Sequence, residues 1–165
     1  MSLTVIDLDL NHTAHAVALL DLLDHYAQDP MGGGQGLKPE VKARLVAGLK
    51  GVPVYHGGLA LAGDEPVGLI NCFAGFSTFA ARPLLNIHDI VVRGDRRRQG
   101  IGQALLAWAE AKARALGCCK LTLEVLSNNH QAMASYQLAG FAPYVLDPAA
   151  GQALFLQKLL AEEKS

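Results

Sequence analysis

The residues best placed to do chemistry are Arg97-Arg98-Gln99-Gly100-Ile101-Gly102. They follow an extended apolar run at 87–92 and open a strongly apolar helical pattern at 103–116. The first N–H groups of a helix have no partner within it, and the helix dipole leaves partial positive charge there. A turn with two small residues at that point lets backbone N–H groups converge on an anion, most often a phosphate. The spacing therefore predicts a site for a phosphate-bearing cofactor. Residue type excludes two cofactor classes. A dinucleotide fingerprint needs a third glycine, but Gln103-Ala104-Leu105 follows Gly102. A nucleoside triphosphate loop needs Gly-Lys-Ser or Gly-Lys-Thr, which the chain lacks.

The elements that must position this loop follow from periodicity. Alternation at 3–8 predicts a first strand. Asn11 is placed to cap a helix running to about Tyr26. Four glycines within 32–36 predict a flexible loop, and Pro39 suits the first turn of a helix over 38–49. Strands at 54–62 and 67–76 flank the turn at 63–66, and a further strand spans 84–92. Gly117 ends the helix after the loop; a strand over 120–126 and a short helix over 130–138, stopped by Gly140, come next. Residues 141–146 and 153–159 read as two closing strands around the turn at 147–151. The order β-α-α-β-β-β-α-β-α-β-β predicts an α/β chain of the α+β kind. Its mixed, largely antiparallel sheet is flanked by helices.

With 165 residues, 51% of them hydrophobic and 18% charged, the chain reads as one globular domain over 1–165. A net charge of −1 argues against nucleic acid as the main partner. No apolar run reaches about 18 residues, so no membrane helix is expected. The N-terminal residues lack a basic segment followed by an apolar one, so a cytoplasmic location is expected. Cys72, Cys118 and Cys119 fit neither a disulfide framework nor a zinc spacing; reduced structural thiols and no metal are expected.

Two stretches together resemble the Gcn5-related N-acetyltransferases. Arg97 to Gly102 is similar to that family's pyrophosphate loop, Arg/Gln-x-x-Gly-x-Gly/Ala. Asn129-His130-Gln131-Ala132-Met133-Ala134-Ser135-Tyr136-Gln137-Leu138-Ala139-Gly140-Phe141 is similar to its Asn-x-x-Ala-x-x-x-Tyr-x-x-x-Gly-Phe. The order of elements resembles the family's fold over essentially the whole chain. Gly94 departs from the pattern, since a proline is common there; this alters turn stiffness rather than the phosphate cradle.

The resemblance implies acetyl-coenzyme A as acetyl donor. Backbone N–H groups of Arg98, Gln99, Gly100, Ile101, Gly102 and Gln103 would hold the pyrophosphate. One or two of Arg93, Arg96, Arg97 and Arg98 would meet coenzyme phosphates. In the family the strand before the loop splays from its neighbour and bonds the pantetheine arm, a place held here by Ile90, Val91 and Val92. A backbone N–H of Ile90 or Val91 would polarise the acetyl carbonyl. Tyr136 matches the family's tyrosine near the coenzyme sulfur and would act as general acid. Asn129 would cap the short helix and bond the coenzyme. His88 is the leading base, because an imidazole titrates near neutrality. Asp89, Glu124 and water are the alternatives. Period-two alternation puts His88 on a face with Asn86, Ile90 and Val92, and Asp89 on the other. Transfer would be direct, within a ternary complex; neither Cys118 nor Cys119 has the setting of a nucleophile.

The acceptor is expected to be the primary amine of a small molecule, with a peptide or protein amine second. The residues at 76–83 before His88-Asp89 loosely resemble the polyamine and thialysine acetyltransferases. Residues 25–37 and 77–83 would shape acceptor choice, with the glycine-rich loop as a lid. Asp21, Asp24 and Asp29 could attract a cationic amine. A homodimer is expected through cross-subunit pairing of the closing strands. Two other classes compete. A non-catalytic acyl-CoA sensor would bind coenzyme without turnover, and a DNA binder using the arginine run would show salt-dependent binding.

Overall fold

Alternating apolar residues and a two-residue turn at Gly63-Asp64 fold the middle of the chain into an antiparallel hairpin, to which further strands add on both sides. Gly63 sits at φ 61°, a conformation that glycine adopts without a Cβ clash. The computed structural model describes residues 2–160. Its sheet has five strands in sequence order: β1 (Leu3–Asp7), β2 (Tyr55–Ala62), β3 (Glu65–Ser77), β4 (Arg82–Val92) and β5 (Leu121–Leu123). The first three pairings are antiparallel and β4–β5 is parallel.

Four α-helices cover the sheet among the described residues: α1 (Thr13–Gln28), α2 (Pro39–Lys50), α3 (Ile101–Ala115) and α4 (His130–Leu138). The α/β class and mixed sheet expected from sequence are therefore present. His12, not Asn11, stands at the start of α1, and its side chain makes no capping bond. Leu105, Leu106 and Ala109 of α3 pack on Val67, Ile70, Cys72, Leu85 and Ile87 on one face of the sheet. Leu19 and Leu22 of α1, with Leu45 and Leu49 of α2, pack on Leu59, Leu69 and Val91 on the other.

Leu85 and Val91 are an even number of residues from one another along β4, yet they face opposite cores. A β-bulge accounts for this. Asn71 of β3 aligns with Asp89, while the next residue, Cys72, aligns with Ile87, so His88 is one residue extra on β4. An extra residue reverses the inside–outside alternation beyond it. A second bulge, where Ala60 aligns with Gly68 but Leu61 with Pro66, does the same at Val67 of β3.

The two closing strands do not form. Residues 141–146 and 153–159 have no ladder partner, and Leu154, Phe155 and Leu156 are exposed. Pro143 lacks an N–H donor and restricts Ala142, and Pro148 opens a 3-10 turn, Pro148–Ala150. The neighbour such a strand would join, β5, is only three residues long.

Two aspartates fix the junction between α1 and α2. Asp24 accepts the Leu37 N–H at 2.8 Å and pairs with Lys42 at 2.9 Å. Asp29 accepts the Met31 N–H at 2.9 Å and pairs with Arg97 at 2.7 Å. Lys42 and the Leu37 N–H hold the Asp24 carboxyl below the usual carboxylate range, as Arg97 and the Met31 N–H do for Asp29.

Leu105 is 0% exposed, so Leu105→Ala should cost about 2–5 kcal/mol of unfolding free energy in urea titration; a loss below about 1 kcal/mol would contradict the packing described. A carboxyl lowered in the folded chain stabilises it above the unfolded value, and that contribution is lost as pH falls through the folded value. Thermal midpoints should therefore drop as the pH falls below about 4. The dependence should be shallower in Asp24→Asn, and an equally steep one would discount this carboxylate.

Candidate active site

The phosphate-loop residues adopt a concave backbone. Gly94–Arg96 forms a 3-10 turn after β4; Arg98 then takes φ 61° and Gly100 φ 82°, and α3 starts at Ile101. Left-handed residues one apart, with a residue of negative φ between them, turn several N–H groups to one side and form an anion-binding nest. Gly100 is the N-cap and offers no side chain, so the N–H groups of Ile101, Gly102 and Gln103 have no capping partner. A Cβ on Gly102 would lie 3.8 Å from Ser135 Oγ and 4.0 Å from Val92 Cγ2, an ordinary contact. These residues fit a pyrophosphate.

The arginines divide sharply. Arg93 bonds Glu65 and Asp95, Arg96 bonds Glu65, and Arg97 bonds Asp29. Arg98 makes no ion pair or side-chain hydrogen bond among the described residues. The cluster thus first anchors the loop to β3 and to the chain after α1. His25 adds to this by accepting the Gly94 N–H at 3.2 Å. Asp24 and Asp29 are already paired with cations of the chain itself, which changes their expected part in attracting an amine.

A gap opens beside β4. Its parallel pairing with β5 covers only Leu85–Ile87 against Leu121–Leu123. Asn86 Nδ2 donates to Thr122 Oγ1 at 3.0 Å within that short ladder, and beyond it the two strands part. Arg93 N–H donates to Val67 O at 3.0 Å across β3–β4. Antiparallel alternation then directs the backbone groups of Val91 and Asp89 to β3, and those of Ile90 and Val92 to the open side. Of the two expected carbonyl-polarising donors, Ile90 has its N–H on the gap, and Val91 has its own committed to the sheet.

Across the gap stands α4. Asn129 caps it by accepting the Ala132 N–H at 3.2 Å. Gln103 Nε2 donates to Ser135 O and Ser135 Oγ, both at 2.9 Å, and ties the start of α3 to α4. Tyr136 packs on the α3-side core with its ring 6.0 Å from that of Phe141. Burial, with a smaller effect of Tyr26, pushes its phenol up to about 12, so it stays protonated at neutral pH. Tyr26 on α1 is raised likewise, by burial first and then by Asp89 and Asp29.

The bulge corrects one expectation about the bases. His88 and Asp89 do not lie on opposite faces, and His88 does not share one with Ile90 and Val92. Ile90 and Val92 pack on the α3-side core, whereas His88 meets Phe73 edge-on at 5.3 Å. Phe73 in turn lies 5.6 Å from Tyr55, which packs on the α1-side core. Asp89 accepts from Asn71 Nδ2 at 3.0 Å, and Asn71 Oδ1 accepts from Tyr55 Oη at 2.8 Å. His88 and Asp89 are thus brought together on the α1–α2 side. Glu124 is exposed, one residue beyond β5 on the far side of the gap.

Asn71, Tyr55, Tyr26 and Phe73 escape a sequence reading. Each sits at a position that alternation or helical spacing assigns to the core. A buried asparagine within an apolar strand is the one signal that stood in the open.

Burial, and then Asp89, push the Cys72 thiol up to about 12; burial also raises Cys118. Neither thiol is a ready nucleophile at neutral pH. No group of three or more His, Cys, Asp or Glu side chains is arranged for a metal, and no helix is long and apolar enough to cross a membrane, among the described residues.

The chain is 42% identical over 65 residues to the aminoalkylphosphonate N-acetyltransferase of Salmonella typhimurium, covering 39% of this chain and 42% of that protein. It is 30% identical over 86 residues to the thialysine N-epsilon-acetyltransferase of Caenorhabditis elegans, covering 52% of this chain and 53% of that protein. The matches thus span about half the length of these relatives. Among solved structures, an aminoglycoside acetyltransferase from an uncultured soil metagenomic sample superposes with a TM-score of 0.75 at 22% identity, over 98% of this chain and 100% of that one. A transcriptional regulator from Bacillus halodurans C-125 superposes with a TM-score of 0.76 at 20% identity, over 95% and 100%. At such identities the likeness is one of fold. The family model described as the acetyltransferase (GNAT) family matches residues 19–141, and the chain belongs to that family.

Proposed function

We propose that this chain is an acetyl-CoA-dependent N-acetyltransferase acting on the primary amine of a small molecule. The observation that carries the proposal is the joint presence, around one gap, of an anion nest, a free β4 edge, a protonated phenol and a His–Asp pair. The two curated relatives named for small amines support the choice of acceptor class.

Acetyl-CoA would supply an activated thioester carbonyl. The nest at Arg98 to Gln103 would hold its pyrophosphate, with Arg98 as the free cation, and Asn129 would bond the coenzyme beyond its capping role. The open-side backbone of Ile90 and Val92 would bond the pantetheine arm, and the Ile90 N–H would polarise the carbonyl. A fixed donor of this kind is worth about 3 kcal/mol in comparable acyl-transfer sites. His88 would take one proton from the acceptor's ammonium, and the resulting amine nitrogen would form the C–N bond as the C–S bond breaks. Tyr136 would protonate the departing sulfur, and the second proton that the nitrogen sheds on becoming an amide would return to the Tyr136 phenolate. No residue is acylated on this route.

Tyr136→Phe should lower kcat by about 10- to 100-fold with little change in KM for either substrate, measured by coenzyme A release. His88→Gln should do so at every pH at which the amine is protonated, and the loss should shrink only as the pH approaches about 10, where the amine sheds its own proton. Tight acetyl-CoA binding, with no release across a panel of aminoalkylphosphonates, thialysine, diamines and aminoglycosides, would favour a sensor instead. The two glycines separate folding from binding. Gly100→Ala forces a non-glycine residue to φ 82° and should cost about 1–2 kcal/mol and weaken acetyl-CoA. Gly102→Ala should fold at least as stably as the native chain, as thermal melts and calorimetric titration will show.

A further inference from the structure

We infer that Asn71 and Tyr55 are positioning residues that hold Asp89 as the anchor for the acceptor's ammonium group. The inference rests on the acetyltransferase reading above and deepens it.

Asn71 is 3% exposed, in the middle of the five-stranded sheet. A polar side chain there is costly unless its groups are bonded. Here both ends are used, and the chemistry of the partners fixes their direction. A carboxylate only accepts, so the Asn71 NH2 must face Asp89. Its carbonyl oxygen then faces Tyr55, whose hydroxyl is the donor it needs. Burial, followed by Cys72 and Asp89, raises the Tyr55 phenol, so that hydroxyl keeps its proton and the direction cannot reverse at neutral pH.

The relay occupies one oxygen of Asp89, Oδ2, and leaves Oδ1 without a hydrogen bond among the described residues. Asp89 is half-buried beside the extra residue His88, so the bulge delivers a carboxylate and an imidazole to the same face. Phe73 stacks edge-on to His88, and Tyr55 lies beside Phe73. Tyr26 approaches from α1 closely enough for the Asp89 charge to raise its phenol. A carboxylate oxygen among aromatic rings suits a primary ammonium, which donates three N–H groups and is attracted to ring faces. An acceptor of this class would donate to Asp89 Oδ1, and His88 would remove its proton. Asn71 touches neither the substrate nor the reacting atoms; it sets where Asp89 points.

The test uses the full chain with acetyl-CoA and, as acceptor probes, 2-aminoethylphosphonate and thialysine. Tyr55→Phe removes only the terminal donor, and Asn71→Asp keeps the shape while abolishing the NH2. In both variants KM for the amine should rise about tenfold or more, the loss of a hydrogen bond to a charged group. KM for acetyl-CoA should stay within about twofold, and kcat at saturating amine should fall far less than kcat/KM. Should Asn71→Asp fail to fold, Tyr55→Phe alone decides. An amine KM unchanged in Tyr55→Phe, or an equal loss for both substrates, overturns the relay. A native chain that turns over neither probe overturns the acetyltransferase reading for these amines, and the relay with it.

Discussion

One extra residue in β4 sets the layout of everything around it. Up to Ile87 the strand buries its odd-numbered residues against α3; beyond His88 it buries Val91 against α1. Close packing tolerates no half-measure here, because a shift of one residue moves every side chain of a strand to the other face. The bulge therefore lets a single strand serve two cores. At the point of change it leaves His88 and Asp89 clear of both and on the same side. It also sits where β5 leaves off, so the strand gains a free backbone edge and a pair of titratable side chains within a few residues.

The loop after β4 depends on that strand being held firmly. Glu65 bridges Arg93 and Arg96, Asp29 holds Arg97, and His25 accepts from Gly94. Exposed ion pairs of this kind contribute little to stability individually. Their effect is geometric, because they tie the loop to β3 and to the chain after α1. A nest of N–H groups is effective only if its curvature persists without a ligand. Three of the four arginines at 93, 96, 97 and 98 are used in this way, and Arg98 is the one of the four without an ion pair among the described residues.

The helices, the hairpin and the first four strands were legible because their periodicities are long and clean. The phosphate loop was legible because its glycines stand between an apolar run and a helical pattern and occur together with the second motif at Asn129–Phe141. Two features were not. A bulge adds one residue without changing residue type, so alternation alone put Asp89 on the wrong face and joined His88 to Ile90. The segments at 141–146 and 153–159 carry strand-like residues, but strands need partners: β5 is three residues long, Pro143 interrupts the first segment and Pro148 lies between the two. The relay from Tyr55 through Asn71 was hidden for a related reason. It joins residues on three strands whose register could be known only once the sheet was assembled.

The tie between Gln103 and Ser135 has a mechanical meaning. Gln103 belongs to the first turn of α3, where the anion nest lies, and Ser135 immediately precedes Tyr136. Two hydrogen bonds from one amide, to a backbone carbonyl and to a hydroxyl, remove sliding as well as rotation between the helices at that point. The span from the nest to the phenol is thereby set by the length of one glutamine side chain rather than by loops. The two ends of the gap then behave as the jaws of a fixed gauge, and an extended molecule lying between them is measured along its length.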